Sequence, residues 1–190
     1  TNQQISEQKQ QITDSIAYAQ RIQSAILPSQ EVMEELLPDH FVLYRPKDIV
    51  SGDFYWVKEV KKSLIIVSAD CTGHGVPGAF MSILGITLLN EQFGKGRLEQ
   101  PGKILNNLRV KVKEMLVQKG KSEEQKDGMD MAVAIIDKEK KELQFAGAHS
   151  SLFLVRNSSQ FAGSEPGPGV SMVTNGSHLV VLKGDQQPIG

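Results

Sequence analysis

The apolar positions of the chain fall into two textures. From Gln3 to Leu27 there is neither Gly nor Pro, and Ile5, Ile12, Ala19 and Ile26 recur every seven residues, with Ile22 adding a partial second row. Such spacing puts them on one seam of a helix about 37 Å long. Gln8 and Ser15 occupy the companion row, which makes the seam weak as a coiled coil. Two arrangements stay open: an amphipathic helix folded onto its own domain, or a parallel dimeric linker carrying a signal from an upstream sensor domain. Pro28 and Pro38 bracket a short second helix, Ser29 to Leu37, with Ser29 as N-cap and Glu31 in the first turn.

Beyond Pro38 the period changes. Phe41 to Tyr44, Phe54 to Val60 and Leu64 to Ala69 read as strands, and Lys61-Lys62 falls where a hairpin turn is needed. A helix from Pro77 to about Phe93 groups Phe80, Met81, Leu84, Leu88 and Leu89 on one face, bounded by Pro77 and Gly94. A second, from Pro101 to about Lys119, turns Ile104, Leu105, Leu108, Val112, Met115 and Leu116 inward. These two helices are expected to pack as neighbours. Strands return at Met131 to Ile136, Glu142 to Ala146, Leu152 to Val155 and His178 to Leu182, while Asn157 to Gly169 reads as a long loop. Strands, then paired helices, then strands predict an α+β fold: an antiparallel β-sandwich flanked by helices and preceded by the N-terminal helix. The division is a helical linker over residues 1–28 and one domain over 29–190.

Bulk properties narrow the function classes. With 190 residues and 39% hydrophobic content the chain buries one core of ordinary size. A net charge of -1 gives no sign of a nucleic-acid or membrane-surface partner. Cys71 is the one cysteine, which forbids an intrachain disulfide and fits the reducing cytoplasm. No apolar run approaches the roughly 18 residues that span a bilayer. The chain starts at Thr1-Asn2 and stops at Pro188-Ile189-Gly190, so it reads as a piece of a longer protein whose tether, if any, lies elsewhere.

Candidate chemistry concentrates at strand ends. Asp70 closes an apolar strand and is followed by Cys71-Thr72-Gly73-His74-Gly75 at a helix start, where free N–H groups and the helix dipole favour phosphate. Seventeen residues upstream, Asp53 follows Ser51-Gly52 and opens a largely apolar strand. Carboxylates framed by glycines suit a hard divalent cation. The plain alternatives are an Asp53 that bonds its own turn and an unliganded strand-to-helix turn at Asp70. Asp130, which precedes another apolar strand, is either a third strand-end ligand or the neighbour of an Asp127-Gly128 turn. A cysteine-phosphatase loop would need an arginine six residues after Cys71, and Pro77 stands there. His40, His74, His149 and His178 lack paired zinc spacing, and Gly73 to Gly78 lacks a Gly-Lys-Ser/Thr ending for a nucleotide loop.

Val50-Ser51-Gly52-Asp53-Phe54-Tyr55-Trp56 and Ala69-Asp70-Cys71-Thr72-Gly73-His74-Gly75-Val76-Pro77-Gly78-Ala79-Phe80-Met81 resemble the two signature motifs of PPM-type (protein phosphatase 2C-like) metal-dependent serine/threonine phosphatases, in the bacterial SpoIIE-like branch. Asp127-Gly128-Met129-Asp130, Phe145-Ala146-Gly147-Ala148-His149 and Gln187-Pro188-Ile189-Gly190 extend the likeness, and Ser15 to Pro28 resembles the signalling helix that joins such domains to sensors. The resemblance implies two Mn²⁺ or Mg²⁺ ions, with Asp53 and Asp70 as ligands, Asp53 bridging, and the Cys71 carbonyl as a backbone ligand. It also implies direct attack by water on a phosphoserine or phosphothreonine of a regulatory protein, such as an anti-sigma-factor antagonist. His74 is either an acid for the leaving group or a turn-stabilising residue; Arg45 can hold phosphate, though its spacing to Asp53 departs from that of the eukaryotic arginine. In the family the Pro-Ile-Gly segment precedes further strands with an Asp-Gly motif and late acidic ligands, and this sequence stops first. The expectation is therefore a fragment with weak metal binding and little turnover. The competing class is a non-catalytic module for dimerisation or partner capture.

Overall fold

The computed structural model describes residues 2–94, 96–116, 127–157, 170–173 and 177–189. Helix α1 (Asn2–Ile26) and α2 (Gln30–Leu36) precede strands β1 (Phe54–Val60) and β2 (Ser63–Cys71). Helices α3 (Gly75–Phe93) and α4 (Pro101–Met115) follow, then β3 (Met129–Asp137), β4 (Glu142–Ala148), β5 (Leu152–Asn157), β6 (Val170–Val173) and β7 (Ser177–Leu182). The strands form two antiparallel sheets, one ordered β1-β2-β3-β4 and the other β5-β7-β6. This is the α+β arrangement expected, with antiparallel sheet, flanking helices and an N-terminal helix.

One face of the four-stranded sheet carries the main core. Phe54, Trp56, Ile65, Val67, Met131, Val133 and Ile135 meet Leu89 and Phe93 of α3 and Ile104, Leu108 and Val112 of α4. Trp56 stacks on Phe93 with ring centroids 5.4 Å apart, and its indole N–H donates to Asn90 Oδ1 at 3.0 Å. α3 comes close to the sheet at Gly85, where an added Cβ would lie 2.8 Å from the Phe54 ring. On the opposite face α2 packs Met33 against Val57 and Leu64 near the hairpin end, with the Ser29 Oγ accepting from the Val32 N–H as the N-cap. Lys61 turns that hairpin in the left-handed region at φ 58°.

Three expectations change. Phe41 to Tyr44 forms no strand, and Phe41 is 91% exposed. An apolar run favours a strand only if a neighbour pairs with it, and no described strand does. Phe80 is 69% exposed and Met115 is also exposed. α3 is apolar nearly all round, so its sequence left the inward stripe ambiguous; Gly78, Met81, Ser82, Gly85, Leu89 and Phe93 occupy it, and Phe80 lies off it. The long loop falls outside the described residues except Asn157, as does everything of the second long helix after Leu116. No helix is long and apolar enough to cross a membrane among the described residues.

α1 is fixed at its C-terminal end. Ile5 and Ile12 are exposed, whereas Ile26 and Leu27 pack on the main core and Gln23 is buried. The Gln23 amide donates to the Ser51 carbonyl at 2.6 Å and to Ser82 Oγ at 2.8 Å, and its Oε1 accepts from the Ser51 N–H at 2.9 Å. One buried side chain thus joins α1, the turn before β1, and α3. Removing it leaves the Ser51 N–H without a partner in a place water does not reach, at a cost of about 2–3 kcal/mol. Urea unfolding of Gln23→Ala is expected to show that loss, while exposed Ser24→Ala stays within about 0.5 kcal/mol of the parent chain.

Candidate functional site

The sheet register builds the acidic site. Phe54 opposes Ala69, so continuing the β1–β2 pairing by one residue sets Asp53 opposite Asp70; Asp70 in turn opposes Asp130 on β3. Three aspartates therefore share one row across three strand ends. Like charges directly opposed in a sheet are destabilising. A bound cation, a basic partner or a retained proton each relieves that cost.

Asp53 and Asp70 are brought together. Partial burial and then the adjacent Asp70 carboxylate, by hydrogen bond and by charge, raise the Asp53 pKa above its ordinary value. Among the described residues no Lys, Arg or His forms an ion pair with either carboxylate. The Asp53 N–H is held by Ser51 Oγ at 3.0 Å and its carbonyl accepts from the Tyr44 hydroxyl at 3.2 Å, so the turn is anchored on both sides. Gly52 allows the loop after Asp70 to close in: an added Cβ there would lie 2.9 Å from the Gly73 carbonyl oxygen and 3.1 Å from that of Cys71. Two carboxylates, with the Cys71 carbonyl close to Gly52 next to Asp53, supply oxygen donors of the kind that suit Mg²⁺ or Mn²⁺. The set is small, since no group of three His, Cys, Asp or Glu side chains able to hold an ion occurs among the described residues.

Asp130 shares the row, but its carboxylate turns to His149, with Nδ1 3.2 Å from Oδ1. His149 is left-handed at φ 56°, its N–H donates to the Asp185 carbonyl at 2.7 Å, and its Nε2 contacts the Gln186 carbonyl. Next to it Met129 and Ile189 exchange backbone bonds of 2.7 and 2.9 Å. Cys71 is 3% exposed, and burial, with help from the charges of Asp70 and Asp53, pushes its thiol up to about 12. Burial and a raised pKa both disfavour the thiol as a nucleophile.

His74 stands at the start of α3 and contacts Asp48 at 2.8 Å. Asp48 was not foreseen: in sequence it is one charge in an exposed Pro-Lys-Asp stretch. The roles of Gln23, Ser82 and Tyr44 also escaped the sequence reading, because nothing in a helical Gln or a lone Tyr marks a distant partner. Arg45 lies with Tyr44, Asp53, Tyr55, Ser68, Asp70 and Ser150 around a cavity of about 260 Å³.

The profile of the Stage II sporulation protein E (SpoIIE) family matches residues 61–181, more than half the chain. The chain belongs to the SpoIIE family. Among solved structures, this SpoIIE-family chain is similar to the SiaA-PP2C domain of Pseudomonas aeruginosa, with 31% identity, a TM-score of 0.74, and alignment over 96% of this chain and 64% of that one. It thus spans less than two thirds of that relative. A structure of RsbU and RsbW domains from Mycobacterium tuberculosis also matches, at 21% identity and a TM-score of 0.46, over 76% of this chain and 38% of the other. No curated protein sequence matches. Family and fold together show a PP2C-like domain of the SpoIIE kind; PP2C-like phosphatases as a class are metal-dependent.

Two outcomes follow from the geometry of the SpoIIE-like site. Cys71 is expected to resist iodoacetamide at pH 8 in the folded chain and to react readily in urea, read by mass spectrometry. Asp53→Asn is expected to raise the unfolding midpoint of the metal-free chain near neutral pH. Because folding raises the Asp53 pKa, the folded chain holds that proton more tightly; stability is fully present in acid and is lost as pH rises through the raised value. Thermal unfolding across pH 4 to 8 should show that decline in the parent chain and a flatter limb in Asp53→Asn.

Proposed function

We propose that the chain is the phosphatase domain of a bacterial signalling protein, hydrolysing phosphoserine or phosphothreonine on a regulatory protein. The paired Asp53 and Asp70 carboxylates, in ion-pair contact with no described basic side chain, carry this reading. Asp53 and Asp70 would hold Mn²⁺ or Mg²⁺, with the Cys71 carbonyl beside them and Asp130 available if it leaves His149. A bound divalent pair supplies acidification of water and neutralisation of phosphoryl charge. The chain's own groups do the rest: Arg45 at the cavity offers a bidentate partner for phosphoryl oxygens, and His74 offers a proton to the departing serine oxygen.

Family likeness supports a phosphorylated partner of the anti-sigma-factor-antagonist kind as substrate. It also supports an upstream sensor in the same protein, joined through α1. The division into a linker over 1–28 and a phosphatase domain over 29–190 belongs to the same proposal, as does a cytoplasmic setting. A second reading, a non-catalytic module that dimerises or captures a partner, is favoured by the exposed Ile5 and Ile12 row of α1 and by the small donor set.

The decisive measurement is Mn²⁺-dependent release of phosphate from a phosphoserine peptide by the chain. We expect slow turnover that needs millimolar Mn²⁺, stops with a chelator, and falls at least about 100-fold in Asp70→Asn, as loss of a metal ligand should cause. No Mn²⁺-dependent release, together with an unfolding midpoint indifferent to Mn²⁺, would reject the phosphatase reading in favour of the module.

A further inference from the structure

The His74 side chain is free of any helix-capping duty. It occupies the N-cap position of α3 at φ -133° and ψ 172°, yet its ring makes no capping hydrogen bond. Its Nδ1 lies 2.8 Å from Asp48 Oδ2 instead. Asp48 in turn rests against the first turn of α3, its Oδ2 3.5 Å from where a Cβ on Gly75 would be. The partial positive charge of a helix start favours a carboxylate there. Both side chains are substantially exposed, at 66% for His74 and 42% for Asp48. An ion pair in that setting contributes little to stability; what it does fix is geometry.

A carboxylate only accepts, so the contact calls for the N–H on Nδ1. We infer that Asp48 is a positioning residue: it holds the His74 ring in the tautomer with Nδ1 protonated and leaves Nε2 as the nitrogen available to a bound phosphoryl substrate. This inference rests on the proposed function for its catalytic meaning, because His74 rides on the short loop that leaves Asp70, and the Gly73 carbonyl of that loop abuts Gly52. In the hydrolysis, a water oxygen forms a bond to phosphorus as the bond from phosphorus to the serine oxygen breaks. The broken bond's electron pair stays on the serine oxygen, which takes the proton from Nε2 of the imidazolium. The water gives one proton to solvent, and the neutral ring later recovers a proton from solvent. Without Asp48 the free imidazole exchanges tautomers and turns about its side-chain bonds, so Nε2 is no longer held in one place.

The tautomer can be observed directly. The chain has four histidines, so selective nitrogen-15 labelling of histidine resolves each ring in long-range proton–nitrogen correlation spectra, with His74→Gln assigning the signals. We expect the parent chain to show the Nδ1–H pattern for His74, and Asp48→Ala to lose it while the other three rings stay unmoved. An Nε2–H pattern in the parent chain, or no change in Asp48→Ala, overturns the inference. A second measurement separates positioning from general structural damage: turnover of a phosphoserine peptide against p-nitrophenyl phosphate, whose leaving group departs without needing a proton. Asp48→Ala should lower the first by about 10-fold or more and change the second by less than about 3-fold; equal losses overturn the positioning role. Absence of Mn²⁺-dependent turnover in the parent chain counts against the phosphatase reading alone, and the spectra then decide the role of Asp48.

Discussion

The position of the acidic site depends on one buried amide. Gln23 is a polar side chain in a place where unmet hydrogen-bonding groups are expensive, and the structure meets its needs by binding both backbone polar groups of Ser51 and the hydroxyl of Ser82. Ser82 in its turn donates to the Ala79 carbonyl within α3, so the network closes on helix backbone. Ser51 then uses its own hydroxyl to hold the Asp53 N–H. The chain of contacts runs from α1 to Asp53 without a gap. Apolar packing alone would let α1 slide by a fraction of a turn; three directional bonds to one amide do not.

The same fold pays stability for chemistry at the strand ends. Hydrogen bonding fixes the β1–β2–β3 register along its whole length, and that register is set by residues that bury well: Phe54, Trp56, Ile65, Val67, Met131 and Val133. Once those side chains face the helices, Asp53, Asp70 and Asp130 have no freedom to be elsewhere. The core thereby forces a repulsive row that no local preference would choose. His149 relieves part of it by taking up Asp130, while Asp53 responds by holding its proton more tightly. Local conflict tolerated by a strong surrounding core is the usual mark of a functional site.

Much of this was legible in the sequence because burial leaves a period. The β1–β2 hairpin, α2 with its Ser29 cap, and the helix starting near Pro77 are each written in a few adjacent residues. Asp53 and Asp70 were legible as candidates because each is an acid at a strand end beside glycines, although a plain turn would leave the same local pattern; their meeting across β1 and β2 needed the register. Phe41 to Tyr44 misled because strand propensity describes one chain, whereas a strand needs a neighbour. Phe80 misled because an apolar helix hides its own inward stripe. Gln23 and Asp48 were invisible for a different reason: Gln23 acts 28 residues from Ser51 and 59 from Ser82, and Asp48 acts 26 from His74. No local spacing encodes such pairs.

The asymmetry of α1 completes the physical picture. Its N-terminal half touches nothing among the described residues that would bury Ile5 or Ile12, while its last turns are fixed by Gln23, Ile26 and Leu27. A helix transmits rotation along its length because each backbone hydrogen bond links one turn to the next. If partners grip the exposed half, their strain reaches the anchored end, where Gln23 bonds Ser51 and Ser82. Ser51 bonds Gln23 through its backbone and Asp53 through its hydroxyl, so a change at Gln23 is felt one residue from the turn that sets Asp53 against Asp70. Under the proposed function, the exposed length of α1 and its polar anchor form one continuous path of contacts, with the acidic pair at its far end.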